Sequence, residues 1–98
     1  MYRGLRVCLI APVLDEDQKI GEVVRRAPRD VVDEVLVVDD GSTDRSADVA
    51  RGLGATVLPM GRTMGVGAAL RAGFQWARAR GFDVIVVIAL SGRNIGIN

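Results

Sequence analysis

The stretch Val35-Leu36-Val37-Val38-Asp39-Asp40-Gly41-Ser42-Thr43-Asp44 takes an unbroken aliphatic run into two carboxylates, a glycine and three residues of helix-capping type. A strand buried on both faces reads as such a continuous run, which is how strands look in parallel sheets covered by helices on either side. Ligands of these sheets sit beyond the carboxyl ends of the strands, which is where Asp39 and Asp40 fall.

Three further apolar runs share this character. Leu5 to Ala11 predicts a first strand ended by Pro12, Ala55 to Leu58 a short third strand, and Asp83 to Ala89 a fourth. Helical periods lie between them. Ile20, Val23, Val24 and Ala27 recur at i, i+3, i+4 and i+7, and Ser42 or Thr43 is expected to cap a second helix carrying Val49, Ala50 and Leu53. Gly65 opens the longest helix, with Val66, Leu70, Gly73, Phe74 and Ala77 expected on its buried face and Gly73 in close contact with the sheet. Alternation of strand and helix with short connections indicates an α/β fold. Right-handed crossovers give a parallel sheet in the order 3-2-1-4, half of a doubly wound sheet, with helices on both faces. The switch point then lies between strands one and four, where residues 12–16 and 89–93 face each other across a crevice.

Composition limits the chemistry. The 98 residues make a single domain, 49% hydrophobic and 26% charged, with a net charge of +1 that gives no reason to expect nucleic acid. No histidine is present, which excludes histidine triads and relays, and the lone Cys8 lies in an apolar run and reads as a small buried hydrophobe. The N-terminal residues lack a signal-peptide pattern, so a cytoplasmic location is expected.

Candidate site residues follow from the strand ends. Asp15, Glu16 and Asp17 stand at a helix N-terminus, where negative charge is favoured for structural reasons alone, or they border a site. The Asp39-Asp40 pair could be a chelate, a pair of caps or a ligand acceptor. Adjacent strand residues point to opposite faces, so one carboxylate is expected at a ligand and the other in the Gly41 turn. Gly65 and Gly67 read as a tight turn with close helix packing, or as ligand contacts. They follow the third strand rather than the first, and no Gly-Lys-Ser/Thr follows them, so neither a dinucleotide fingerprint nor a Walker loop is indicated.

Taken together, Ala11-Pro12-x-x-x-Glu16, Val37-Val38-Asp39-Asp40-Gly41-Ser42-Thr43-Asp44 and Gly65-x-Gly67-Ala68-Ala69-Leu70-x-x-Gly73-Phe74 resemble the N-terminal half of a family 2 inverting glycosyltransferase of GT-A fold. Within that family the chain is most similar to the polyprenyl-phosphate (dolichyl-phosphate) sugar synthases, from Leu5 to about Ile88. The resemblance implies an enzyme that moves a sugar from a nucleoside diphosphate sugar to an acceptor, a polyprenyl phosphate. It implies Pro12, Leu14, Glu16, Asp39 and Asp40 as nucleotide-binding positions, with Asp40 foremost, and it names no catalytic residue. It also implies Mg²⁺ or Mn²⁺ held by an Asp-x-Asp after the fourth strand, where this chain has Ala89 and Ser91. Leu14 replaces the tyrosine that would lie against the base, and Asp15 and Thr63 each replace an asparagine. The chain is expected to be shortened before the acceptor half, not competent alone, and peripheral to the membrane in its full-length form. The alternative is a non-catalytic, degenerate nucleotide-binding or oligomerising domain. An unpaired apolar edge at residues 84–88 predicts a homo-oligomer.

Overall fold

The computed structural model describes residues 1–90, and the expectations placed on Ser91 and on the stretch to Asn98 lie outside them. Seven elements follow in alternation: β1 (Val7–Val13), α1 (Asp17–Arg26), β2 (Glu34–Asp39), α2 (Ser46–Gly52), β3 (Thr56–Pro59), α3 (Val66–Ala79) and β4 (Val84–Val87). The four strands are parallel in the order β3-β2-β1-β4, as the sequence predicts.

Both faces of the central strands are buried, and successive residues divide between two cores. Val7, Leu9, Ala11 and Val13 join Val35 and Val37 beneath α1 and α2, through Ile20, Val24 and Ala50. Cys8 and Ile10 join Leu36 and Val38 beneath α3. The uninterrupted apolar runs are therefore two interleaved alternations, each serving its own layer of helices.

Three local expectations are corrected. Pro12 does not end β1, which continues to Val13 in register with Asp39. The Ile88 N–H donates to Ile10 O, and the Asp40 N–H donates to Val13 O. Odd residues of β1 thus turn their polar groups toward β2 and even ones toward β4. The missing donor of Pro12 faces the side where β4 has already stopped, so no ladder bond is lost there.

The buried stripe of α3 is Ala69, Gly73 and Ala77, whereas Val66 is 61% exposed and Phe74 also faces outward. Small residues let the helix approach the sheet. A Cβ on Gly73 would lie 3.0 Å from Ile10 Cγ2 and 3.2 Å from Val38 Cγ2, which agrees with the contact expected at that glycine. At its C-terminal end α3 is held by a stack of Trp76 on Phe82, with the Arg80 and Arg6 guanidinium groups over the two rings.

Finally, neither Ser42 nor Thr43 caps α2, which begins only at Ser46. Both are held instead by the loop after β1. The Asp15 carboxylate accepts the N–H of Thr43 at 2.8 Å and of Asp44 at 3.2 Å, and the Asp15 N–H donates to Ser42 Oγ at 3.0 Å.

Candidate functional site: a cleft at the carboxyl ends of β1 and β2

Where β1 and β4 diverge, a cleft of about 210 Å³ opens beside the loops that leave the sheet. Pro12, Val13 and Leu14 line one side, Thr63, Gly65 and Val66 another, and Glu16, Asp40 and Leu90 complete it. Four of the five nucleotide-binding positions implied by the resemblance are thus brought together: Pro12, Leu14, Glu16 and Asp40. Asp39 is not among the lining residues. Its Oδ1 accepts the Ser42 N–H at 2.9 Å and so closes the Gly41 turn, the division of labour expected of two adjacent strand-end carboxylates.

Asp40 has a structural duty that the sequence did not disclose. It is 4% exposed, and its two carboxylate oxygens accept the Met64 N–H at 2.7 Å and the Gly65 N–H at 3.0 Å. The glycine-rich loop is therefore pinned to the end of β2 by the same group that lines the cleft. Gly41 strengthens this docking from the next position. With φ at +84°, its bare Cα leaves room for the backbone of Arg62 and Thr63. Thr63 and Val66 are carried to the site by this docked loop and the start of α3, and Leu90 comes from the stretch after β4.

On the other wall, two loops fasten one another. Besides the bonds made by Asp15, the Glu16 N–H donates to Ser46 Oγ at 3.0 Å and the Asp17 N–H to Asp44 Oδ2 at 3.2 Å. Asp44 Oδ1 also accepts from the Ser46 N–H and hydroxyl. Desolvation raises the Asp44 pKa, but these hydrogen bonds outweigh it and leave the carboxyl below its usual value. The acidic residues around the turn are thus largely engaged in holding the cleft's shape. Asp15 itself adopts φ +53°, a conformation that aspartate tolerates better than most residues.

A hard cation requires several oxygen ligands. Ala89, at the first of the two metal positions implied by the resemblance, offers only a methyl group, and among the described residues no three of His, Cys, Asp and Glu are grouped to hold a metal ion. The described residues do not fit a Mg²⁺ or Mn²⁺ site.

Comparison with known proteins agrees with this architecture. A dodecaprenyl-phosphate galacturonate synthase of Rhizobium johnstonii is 34% identical over 89 residues, covering 80% of this chain and 26% of the relative. An undecaprenyl-phosphate mannosyltransferase of Micrococcus luteus is 39% identical over 95 residues, covering 90% and 39% respectively. The chain thus spans between about a quarter and two fifths of the length of these curated relatives. Among solved structures, glucosyl-3-phosphoglycerate synthase from Mycobacterium tuberculosis, in complex with Mn²⁺, uridine diphosphate and glucosyl-3-phosphoglycerate, matches with a TM-score of 0.73 at 28% identity, over 88% of this chain and 33% of that one. The model of the family described as "Glycosyl transferase family 2" matches residues 8–89, nearly the whole described fold with its cleft, and the chain belongs to that family.

Proposed function

We propose that this chain forms the donor-binding half of a glycosyltransferase that moves a sugar from a nucleoside diphosphate sugar to a polyprenyl phosphate. The observation that carries the reading is the cleft itself, which gathers Pro12, Leu14, Glu16 and Asp40 at the switch point of a parallel sheet. In such a transfer an acceptor phosphate oxygen attacks the anomeric carbon. The bond from that carbon to the nucleoside diphosphate breaks on the opposite side, and the configuration inverts. A phosphate oxygen is already anionic and needs no strong base. The relatives named for polyprenyl-phosphate substrates support this acceptor class, and this chain covers 26% and 39% of their lengths.

No described helix is long and apolar enough to cross a membrane. A cytoplasmic domain meeting its lipid acceptor at the membrane surface is consistent with that. The test is calorimetric titration of the chain with uridine and guanosine diphosphates. Saturable binding of one of them, weakened in Leu14→Asp, is the expected result, and absence of binding to both overturns the proposal.

A second reading, a non-catalytic oligomerising domain, is favoured by one feature, the outer strand β4, where Val86 and Val87 are 42% and 40% exposed.

A further inference from the structure

Resting on the donor-site reading, the question is which portion of a nucleoside diphosphate sugar this cleft recognises. The parallel topology brings the N-termini of all three helices to the cleft end of the sheet, where backbone N–H groups ordinarily receive phosphate. In this chain one donor at or just before each helix start is already given to one of the chain's own carboxylates. The Asp17 N–H of α1 goes to Asp44 Oδ2, the Ser46 N–H of α2 goes to Asp44 Oδ1, and the Gly65 N–H at the start of α3 goes to Asp40 Oδ2. The Met64 N–H, the other nearby donor of the glycine-rich loop, is also given to Asp40.

The lining repeats the pattern. Its charged side chains are Glu16 and Asp40, both acceptors, Thr63 adds one hydroxyl, and the apolar lining includes Pro12, Leu14, Val66 and Leu90. An ionised phosphate brings only acceptors and negative charge, so against this lining it finds repulsion. A base edge or a ribose brings N–H and O–H donors that carboxylates accept, and the apolar wall suits the flat faces of a base.

We propose that the cleft is a nucleoside site in which the phosphates of the donor contribute no affinity, so that binding by this chain is independent of divalent cations. Ala89 agrees with this, because a methyl group two residues beyond β4 cannot recruit a cation to offset the repulsion.

The test is titration of the wild-type chain with uridine, uridine monophosphate and uridine diphosphate, and with the guanosine series, each with MnCl₂ and with a chelator. For the base that binds, nucleoside and diphosphate should agree within about threefold, and Mn²⁺ should change neither by more than about twofold. Raising the ionic strength shortens the screening length from roughly 30 Å at 0.01 M to about 10 Å at 0.1 M, so diphosphate affinity should hold or rise with salt. A diphosphate that binds more than about tenfold tighter than its nucleoside, with the advantage lost on chelation, overturns this inference and leaves the donor site standing. Failure of nucleosides and diphosphates alike to bind overturns both.

Discussion

A Cβ placed on Gly41 would lie 2.5 Å from the backbone nitrogen of Thr63, closer than such atoms approach in folded proteins. The two residues belong to different strand-to-helix connections, so the glycine of the Asp-Asp-Gly turn is the contact surface on which the glycine-rich loop is seated. Gly41→Ala meets two penalties. Its φ of +84° costs an L-residue about 1–2 kcal/mol, and the backbone of residues 62 and 63 must move. We expect a loss of more than about 2 kcal/mol, seen as a fall in Tm of roughly 8 °C or more, together with weaker nucleotide binding. An unchanged Tm would show that the two loops are not in contact in solution.

The glycines of α3 should respond with opposite signs. Nothing lies within 4 Å of a Cβ on Gly67, so Gly67→Ala should stabilise the helix by about 0.5–1 kcal/mol. At Gly73 the same methyl meets Ile10 Cγ2 at 3.0 Å in the close-packed second core. Overpacking there costs about 1–3 kcal/mol against a propensity gain of about 1, for a net loss near 1 kcal/mol. Urea unfolding of the two variants gives the comparison, and stabilisation by Gly73→Ala would contradict the close approach of α3 to β1.

Acid should release the clamp between the first two loops. Asp44 titrates below the usual carboxylate range in the folded chain, so between its ordinary value of about 3.9 and its native value the unfolded state binds the extra proton. The stability it contributes is present above that window and is lost as the pH falls through the native pKa. Asp33, held down by the N-terminal ammonium group and the Val7 N–H, shifts in the same direction. Asp44→Asn should therefore be less stable than wild type near neutrality, with a gap in urea midpoint that narrows below about pH 4. A constant gap would mean that the charge on Asp44 is not what stabilises the clamp.

The outer edge of β4 should recruit a second copy. Its four residues are all aliphatic, and an open apolar edge is a template for strand pairing. Light scattering should report a species larger than the monomer, and Val86→Lys should shift it toward the monomer. A wild-type chain that remains monomeric would sink the expectation.

Much of this architecture can be read from the sequence because each buried strand is a single aliphatic run and each run ends where polar chemistry starts. Right-handed crossovers then leave little freedom in strand order, and Pro12, Glu16 and Asp40 arrive at one cleft by topology alone. What escaped was decided by partners distant in sequence. Ser42 and Thr43 have the chemistry of caps, but Asp15, about 28 residues earlier, takes one of their N–H groups and supplies its own to the Ser42 hydroxyl. Of the face expected on α3, Gly73 and Ala77 are buried and Leu70 packs against the core, while Ala69 is buried and Val66 and Phe74 are exposed against the ranking that hydrophobicity gives them. The sheet already supplies the bulk through Ile10 and Val38, and the helix supplies the space. Asp40 was recognised as a wall of the cleft and not as the anchor of a loop, since its two backbone donors lie 24 and 25 residues downstream.

Cys8 lies in the centre of the sheet, in register with Glu34 on one side and Ile85 on the other, and has no exposed surface. Burial, followed by the neighbouring Glu34 charge, pushes its thiol pKa up to about 11, while alkylating reagents attack the thiolate. The Cys8 side chain points from the sheet into the core beneath α3, so a reagent in solution waits for that helix to leave the sheet before it can react. With the only sulfhydryl of the chain in that position, labelling times the opening of this core, and its progress under native conditions counts how often α3 lifts from the sheet.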